Sequence, residues 1–232
     1  MIDFHSHFLP GIDDGSDSVE TSLSMLAMWR DQGFSLVCAT PHFYADRNSP
    51  ARFLAKRQAA YDAVCTALEK LGGVWPEILL GAEVRFFDGI SAAEDLDKLC
   101  LEGTNLLLLE MPFTRWTDRM VGEVSDISRR GLLPVAAHIE RYMDLQPRKL
   151  LDSFMEGNIL IQCNAEFFLS RRTSRKALRM LRDGRIHFLG SDAHNTSSRA
   201  PNLGPALELI RKKLDGRVMD RLDRNESLIT DE

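Results

Sequence analysis

The chain has 232 residues, of which 44% are hydrophobic, 27% charged and 8% aromatic, and its formal net charge at pH 7 is −5. This composition excludes a disordered chain and predicts one globular domain, residues 1–232, with a large core. The acidic balance argues against a nucleic-acid-binding face, no apolar run is long enough to cross a membrane, and the first residues lack the basic start of a secretory signal, so we expect a cytoplasmic protein.

Short apolar runs alternate with longer amphipathic runs along the chain. The first strand, MIDFHSH, carries Asp3, His5 and His7, and alternation predicts that these three side chains share one side. Further buried strands are predicted at 35–40, 77–84, 105–111, 132–138, 158–164 and 186–192, and helices at 18–33, 50–73, 116–131 and 173–184. A short tail is predicted from about 225 to 232. This alternation predicts an α/β fold with a parallel sheet, and the number of units favours a closed barrel.

Imidazole and carboxylate side chains stand at the ends of these apolar runs: His5, His7, His42, Glu83, Glu110, His138, Asp192 and His194. In a β/α barrel, the carboxyl ends of the strands face one rim, so we expect these groups to meet there. Any one of them alone is more typical of a hydrogen-bonded structural residue. Together they would bury many polar groups, which costs several kcal/mol unless cations compensate. Imidazole and carboxylate without thiolate suit Zn, Mn, Fe or Co at a reactive site, not a structural zinc clamp.

The charge of this site indicates its substrate. Asp14 in GIDDG, with Glu83, Glu110 and Asp192, brings four negative charges, whereas three divalent ions would bring six positive charges. The surplus suits a phosphate dianion, and Arg141, three residues past His138, is placed to clamp it through two hydrogen bonds. Such a cluster can bind a phosphate ester and lower the pKa of a water to about 7. We interpret Asp13 as orienting a neighbour and His187 as structural.

Thiol-based phosphatase chemistry is excluded by spacing. Cysteine phosphatases need an arginine six residues after the cysteine, and none of the four cysteines has one. These cysteines also show no CxxC pairing, so they are expected to be reduced and mostly buried: Cys38, Cys65, Cys100 and Cys163.

Seven segments, in order from residue 3 to residue 195, resemble the polymerase-and-histidinol-phosphatase (PHP) family of metal-dependent phosphoesterases. They are DFHSHFLPGIDDGS, ATPHF, GAEVRF, LLLEMPF, AHIERY, QCNAEFF and GSDAHN. The nearest resemblance is to bacterial protein tyrosine phosphatases of capsule and exopolysaccharide synthesis. It implies a distorted (β/α)7 TIM-like barrel that holds three divalent metal ions.

The resemblance also implies a role for each site residue. One ion is held by His5, His7, Glu83 and Asp192, a second by Glu83, Glu110 and His138, and a third by Asp14, His42 and His194. Arg141 contacts the phosphate. The resemblance also counts Asp14 among the catalytic residues, because the DDG segment that contains it resembles the tyrosine-phosphatase branch of the family.

The implied substrate is a phosphotyrosine protein, such as the tail of a bacterial tyrosine kinase. Three alternatives stay open: a PHP phosphoesterase for an alkyl phosphate such as histidinol phosphate, an amidohydrolase-like hydrolase, and a metal-stabilised binding module without turnover. A further hypothesis is that aromatic side chains beside the ligands bind the tyrosine ring of the substrate. The alternative is that these side chains only pack against the rest of the protein. Replacing three of these residues one at a time would test the hypothesis: Phe43, Phe113 and Trp116.

Overall fold

The computed structural model describes residues 1–230 as parallel strands alternating with helices. The strands are β1 (Ile2–Ser6), β2 (Leu36–Ala39), β3 (His42–Phe43), β4 (Glu77–Leu80), β5 (Glu83–Arg85), β6 (Leu106–Glu110), β7 (Leu133–Ala136), β8 (Leu160–Asn164) and β9 (Phe188–Gly190). The α-helices are α1 (Val19–Asp31), α2 (Pro50–Leu71), α3 (Asp118–Arg129), α4 (Arg148–Met155), α5 (Ala165–Leu169), α6 (Ser174–Arg182), α7 (Leu203–Lys213) and α8 (Gly216–Thr230). Short 3-10 turns occupy Ile90–Ala92, Leu96–Leu99 and Ile139–Tyr142.

Two of the predicted strands are kinked. β2 and β3 are separated by Thr40 and Pro41, and β4 and β5 by Gly81 and Ala82. Proline cannot donate to a strand ladder, and a Cβ on Gly81 would lie 2.6 Å from a methyl carbon of Leu101. Strand pairing therefore follows the order β1-β2-β4 on one side of the kinks and β3-β5-β6-β7-β8-β9 on the other, with every pair parallel.

The sheet curls until its first and last strands meet. Ser6 forms a parallel bridge with Ala193, the amide of His7 donates to the carbonyl of Ala193 at 2.8 Å, and the amide of Asp192 donates to the carbonyl of His5 at 2.8 Å. Gly190 permits this approach, because a Cβ there would lie only 2.7 Å from the Cβ of His5. The structure is thus an α/β fold whose parallel sheet is strongly curled, with its strand ends gathered at one edge.

Apolar side chains cover both faces of the sheet, as is typical of buried parallel strands. Along β6, Leu107 and Leu109 belong to the large cluster between the sheet and the helices, whereas Leu106 and Leu108 belong to a second cluster on the opposite face. Phe4 and Phe188 stack within this second cluster, with ring centroids 4.2 Å apart. The continuous apolar runs in the sequence therefore supply side chains to both clusters, one on each face of the sheet.

β1 departs from strict alternation, because its register against β2 shifts between Asp3 and Ser6. Asp3 accepts hydrogen bonds from the indole of Trp29 in α1 at 2.7 Å and from the amide of Ser191 at 2.9 Å. His5 and His7 instead face each other, with their Nε2 atoms 3.0 Å apart. The prediction that all three share a side is correct for the two histidines and wrong for Asp3.

Four helices were not predicted: α4, α5, α7 and α8. The tail predicted from residue 225 is helical as far as residue 230, and residues 231–232 lie outside the described residues. α8 buries Val218, Leu222 and Ile229 at helical spacing, and Glu226 accepts a hydrogen bond from the amide of Ile2. Within residues 1–230, no helix is both long enough and apolar enough to cross a membrane.

Candidate metal centre

The edge formed by the carboxyl ends of the strands brings together all nine side chains predicted as ligands. Most are fully buried, while Asp14 is exposed and His42 is half-buried. The contributing elements are β1 and the loop after it, the starts of β3 and β5, the end of β6, and the segments after β7 and β9. The group consists of His5, His7, Asp14, His42, Glu83, Glu110, His138, Asp192 and His194.

Four donor atoms form the innermost set. The Nε2 atoms of His5 and His7 are 3.0 Å apart and lie 3.4 and 3.3 Å from Oε2 of Glu83. They lie 3.8 and 3.5 Å from Oδ1 of Asp192. Ligands placed about 2.1 Å from a divalent ion are separated by about 3.0–3.4 Å. The spacing of His5, His7 and Glu83 therefore fits coordination of one ion, and Asp192 lies beside the two histidines.

Two further sets flank the first. Oδ1 of Asp14 lies 3.5 Å from Nε2 of His42 and 3.4 Å from Nε2 of His194. On the other side, Nε2 of His138 lies 2.8 Å from Oε1 of Glu83 and 3.7 Å from Oε1 of Glu110. Glu83 thus uses its two oxygens toward different sets, as a bridging carboxylate does.

Among the described residues, four buried polar atoms of this site lack a hydrogen bond of regular geometry: Nδ1 of His42, Oε2 of Glu83, Nδ1 of His138 and Nε2 of His194. The first two lie 2.9 Å from each other. A buried polar atom without a partner costs about 1–3 kcal/mol. A bound cation would compensate Glu83 Oε2 and His194 Nε2 directly, since both atoms point into the donor sets. The residues present therefore fit a group of divalent ions.

Two imidazoles are oriented by partners behind them. Nδ1 of His7 lies 2.7 Å from Oδ2 of Asp13, which also accepts a hydrogen bond from the amide of His42 at 2.8 Å. Nδ1 of His194 lies 3.0 Å from the carbonyl oxygen of Asp192. Metal-binding histidines usually donate their second N–H in this way, which leaves Nε2 free for the ion. The orienting role predicted for Asp13 matches these contacts.

The ionisable groups of the site shift the pKa values of one another. Burial lowers the pKa of His7, but Asp13 and then Glu83 raise it to about 10. Burial raises the pKa of Glu83, but the charge of His5 and the close approach of His138 and His42 bring it well below its usual value. Burial and the charge of His7 lower the pKa of His194 to about 4, so its Nε2 keeps a lone pair at neutral pH.

Two guanidinium groups lie at the outer side of the site. Arg141 is ion-paired with Oδ2 of Asp192, and Arg199 with Oδ1 of the same carboxylate at 2.7 Å. Both arginine side chains are more than a third exposed, at 36 and 37%. Asn195 fixes the loop that carries Arg199, since its side chain accepts a hydrogen bond from the Arg199 amide at 3.0 Å. The guanidinium groups of Arg141 and Arg199 can therefore bind an anion that enters from solvent.

The sequence prediction missed three residues of this site: Gln162, Asn164 and Arg199. Gln162 accepts a hydrogen bond from the His138 amide at 2.6 Å, and Asn164 donates to Oδ2 of Asp192 at 2.8 Å. Both end the apolar run NILIQCN, so the signal that identified the histidines was also available for them. Arg199 lies in a loop, where no periodic pattern indicates its position.

Backbone strain is concentrated at the same edge. Within residues 1–230, three residues other than glycine have positive φ, and two of them are His138 (φ 32°) and Asp192 (φ 53°). A side chain held in this region costs about 1–3 kcal/mol and persists only where the surroundings enforce it. The two strands therefore end in turns that aim these side chains at the shared site.

The aromatic residues of the substrate hypothesis fall into two groups. Phe43 and Trp116 are buried in the core, at 2 and 3% exposure. Phe113 is 43% exposed and stacks on the ring of His138, with centroids 5.9 Å apart. Only Phe113 of the three is accessible to an arriving ring. His187 is placed as a structural residue, because its Nδ1 accepts a hydrogen bond from the amide of Ile161.

Comparison with known proteins gives consistent matches along the whole chain. Residues 1–229 match the protein family described as "Capsular polysaccharide synthesis, CpsB/CapC". The chain is 30% identical to the tyrosine-protein phosphatase YwqE of Bacillus subtilis, over 99% of this chain and 91% of that protein. It is 28% identical to the tyrosine-protein phosphatase CpsB of Streptococcus agalactiae, over 90% of this chain and 89% of that protein.

Solved structures extend the similarity to the fold. A chain from the crystal structures of YwqE from Bacillus subtilis and CpsB from Streptococcus pneumoniae, described as metal-dependent tyrosine phosphatases, superimposes with a TM-score of 0.85 at 26% identity. The match covers 100% of this chain and 95% of that one. An inactive dihydroorotase-like domain from Chaetomium thermophilum shares the fold alone, with a TM-score of 0.55 at 11% identity.

Proposed function

Because the chain belongs to the CpsB/CapC family of capsular polysaccharide synthesis, we propose that it is a metal-dependent phosphatase that hydrolyses phosphotyrosine on proteins. The observation that carries the proposal is the convergence of His5, His7 and Glu83, whose donor atoms lie 3.0–3.4 Å apart, with Asp192 within 3.8 Å of both histidines. The family relatives favour this activity over an alkyl-phosphate phosphoesterase and over a binding module.

We propose three divalent ions, drawn from Mn, Fe, Zn or Co, for the three donor sets. The first is assigned to the four-atom set around His5 and His7, and the second to the set around His138, with Glu83 shared between them. The third is assigned to Asp14 with His42 and His194. Mutually close donor groups support the cores of the first and third sets, namely His5, His7 and Glu83, and Asp14, His42 and His194. For the second set, the support is the approach of His138 to Glu83 and Glu110 at 2.8 and 3.7 Å. His7 and His42 each belong to two of the close groups, so the sets adjoin one another.

We also propose that the single domain, residues 1–232, is a distorted (β/α)7 barrel. Counting β2 with β3 and β4 with β5 as one kinked strand each gives seven strands, paired in chain order. The contacts between Ser6 and Ala193 support closure between the first strand and the last.

The chain's own residues would perform binding and orientation. Bound ions would supply Lewis acidity and a nucleophilic water at neutral pH. Arg141 and Arg199 would bind the phosphate oxygens, which must compete with Asp192 for the two guanidinium groups. Asp14, whose side chain is 66% exposed, would complete the ligand set on the side that the substrate enters. Phenolate is a fair leaving group, so the reaction does not need a strong general acid.

Three of the four cysteines are unsuited to act as a nucleophile. Cys38, Cys100 and Cys163 are buried, and burial raises the pKa of each thiol above its usual value. A thiol in this state is unreactive because the thiolate is the nucleophile. Hydrolysis would therefore proceed without a covalent phosphoenzyme.

The substrate protein is proposed to be a tyrosine kinase of capsule or exopolysaccharide synthesis. The support is the family description and the phosphatase names of the relatives. Purified protein should hydrolyse phosphotyrosine on such a kinase faster than it hydrolyses histidinol phosphate.

The deciding experiment measures bound metal together with hydrolysis of a phosphotyrosine peptide, para-nitrophenyl phosphate and histidinol phosphate. A chelator should abolish ester hydrolysis, and divalent ions should restore it. Glu83→Gln should lower kcat/KM by about 10²–10³-fold, since the ion cluster contributes several kcal/mol. The control with all four cysteines replaced by serine should keep its activity. Full activity in metal-free protein, or faster turnover of histidinol phosphate, would contradict the proposal.

A further inference from the structure

A cleft opens beside the candidate metal centre, between the loop that follows β3 and the end of β5. One lining side chain is Tyr44, whose ring stacks on the ring of His42 with centroids 5.2 Å apart. On the β5 side the cleft is lined by Arg85, which pairs in register with Glu110. The cleft therefore adjoins two of the proposed ligands without containing them.

Two guanidinium groups lie near the Tyr44 ring. Cζ of Arg47 is 4.7 Å and Cζ of Arg85 is 5.6 Å from the ring centroid. Within residues 1–230, neither group has a carboxylate oxygen within 4.0 Å, whereas Arg141 and Arg199 are both ion-paired. Cation–π contact positions the two cations but does not neutralise them. The cleft thus holds two positive groups beside one ring, and both remain available to an anion.

We propose that this Tyr44–Arg47–Arg85 cleft binds the carboxylate of an acidic residue that flanks phosphotyrosine in the substrate. The inference depends on the proposed function, because it requires the phosphotyrosine to occupy the neighbouring metal centre. A carboxylate suits the cleft because guanidinium groups bind it with two parallel hydrogen bonds. Asp46 also lines the cleft, so its net charge is +1, which still favours an anion.

The distance between the two sites sets the position of the acidic residue. Arg85 stands two residues beyond Glu83 on the same strand, which corresponds to about 7 Å. An extended peptide covers about 3.4 Å per residue. An acidic side chain one to three positions from phosphotyrosine can therefore reach the cleft while the phosphate stays at the ions.

The test compares phosphotyrosine peptides that differ only in having glutamate or glutamine at one flanking position, moved stepwise over three positions on each side. The metal-loaded protein should prefer glutamate at one of them by about five- to tenfold in kcat/KM at low salt, through KM. The preference should fall to about one in the double variant Arg47→Gln with Arg85→Gln. Arg224→Gln, which removes an exposed arginine from α8, should keep the full preference. Hydrolysis of para-nitrophenyl phosphate, which has no flanking residue, normalises each preparation for metal loading.

The outcomes separate the two proposals. Equal hydrolysis of every peptide pair by the wild-type protein, or a preference that survives the double variant, overturns the cleft inference alone. Failure to hydrolyse any phosphotyrosine peptide overturns the proposed function and the inference with it. A preference that weakens as ionic strength rises from 0.05 to 0.5 M supports binding between charges.

Discussion

The two ends of the curled sheet are built from the same strands and have opposite chemistry. At one end, which we call the apolar end, Phe4 and Phe188 stack within a buried apolar cluster. At the other, which we call the metal end, His5 directly follows Phe4 and Asp192 lies just past the end of β9, with unpartnered atoms and strained backbone nearby. The apolar end is complete without a ligand, and the metal end is not. Along each of these strands, the residues that stabilise the fold and the residues that form the candidate metal centre are therefore only a few positions apart.

Among substitutions that test this contrast between the two ends, we expect the largest effect from one at the apolar end. Phe188→Ala removes a fully buried ring from its stack with Phe4 and should lower the free energy of unfolding by about 3–5 kcal/mol. Urea unfolding measures this loss. If the two ends are independent, kcat/KM per folded molecule stays within about twofold of the wild-type value. A large loss of activity in protein that is still folded would show that the ends are coupled.

At the metal end, a change one layer behind the ligands should affect ion binding more than folding. Asp13→Asn keeps the shape of the side chain but weakens the partner of His7 Nδ1. Loss of such a partner typically costs 10–100-fold in metal affinity, so we expect a decrease of about that size in a metal titration. Asp17→Asn is the matched control, because Asp17 is an exposed carboxylate that bonds Thr21. Equal metal affinity in the two variants would contradict the role of Asp13.

A smaller effect is expected at the rim, where Phe113 stacks on His138 and remains 43% exposed. Phe113→Ala should raise KM for an aryl phosphate by about 2–10-fold with kcat unchanged, since an aromatic pair contributes about 0.5–1.5 kcal/mol. Steady-state kinetics measures this. Leu145→Ala, at a position that is 44% exposed, is the control for loss of apolar surface alone. An unchanged KM would remove Phe113 from the proposed ring site.

The sequence predicts the metal end better than it predicts the path of the chain. Histidines and acids at the ends of apolar runs identified His138 and Asp192, because parallel strands bring their carboxyl ends to one edge. The resemblance to capsule-type tyrosine phosphatases is confirmed by the family match. The kinks at Pro41 and Gly81 and the register shift after Asp3 depend on contacts distant in sequence, which no local pattern encodes.

Omissions in the sequence prediction have separate causes. The sequence prediction places a tail only from about residue 225 and assigns no element to the start of α8, although Val218, Leu222 and Ile229 are spaced for one helix face. Arg199 reaches Asp192 from a loop whose conformation is fixed by Asn195. Helical periodicity can therefore recover α8 from sequence, whereas a loop contact requires the three-dimensional structure.

The smallest predicted effect distinguishes a histidine at the apolar end from those at the metal end. His187, just before β9, is held neutral: its Nδ1 accepts a hydrogen bond from Ile161, and burial and then Arg221 lower its pKa. The unfolded chain binds a proton at this residue below about pH 6.5, whereas the folded chain does not, so the stabilisation is complete above pH 6.5 and is lost as pH falls.

His187→Asn should therefore cost about 1 kcal/mol at pH 7.5, and the difference between wild type and variant should shrink at pH 5.5. Urea unfolding at both pH values measures it, and the histidines of the metal end cancel because both proteins contain them. A difference that stays constant between the two pH values would mean that His187 keeps its ordinary pKa in the folded chain, and the contrast between the two ends would then lie in their ligands and not in their histidines.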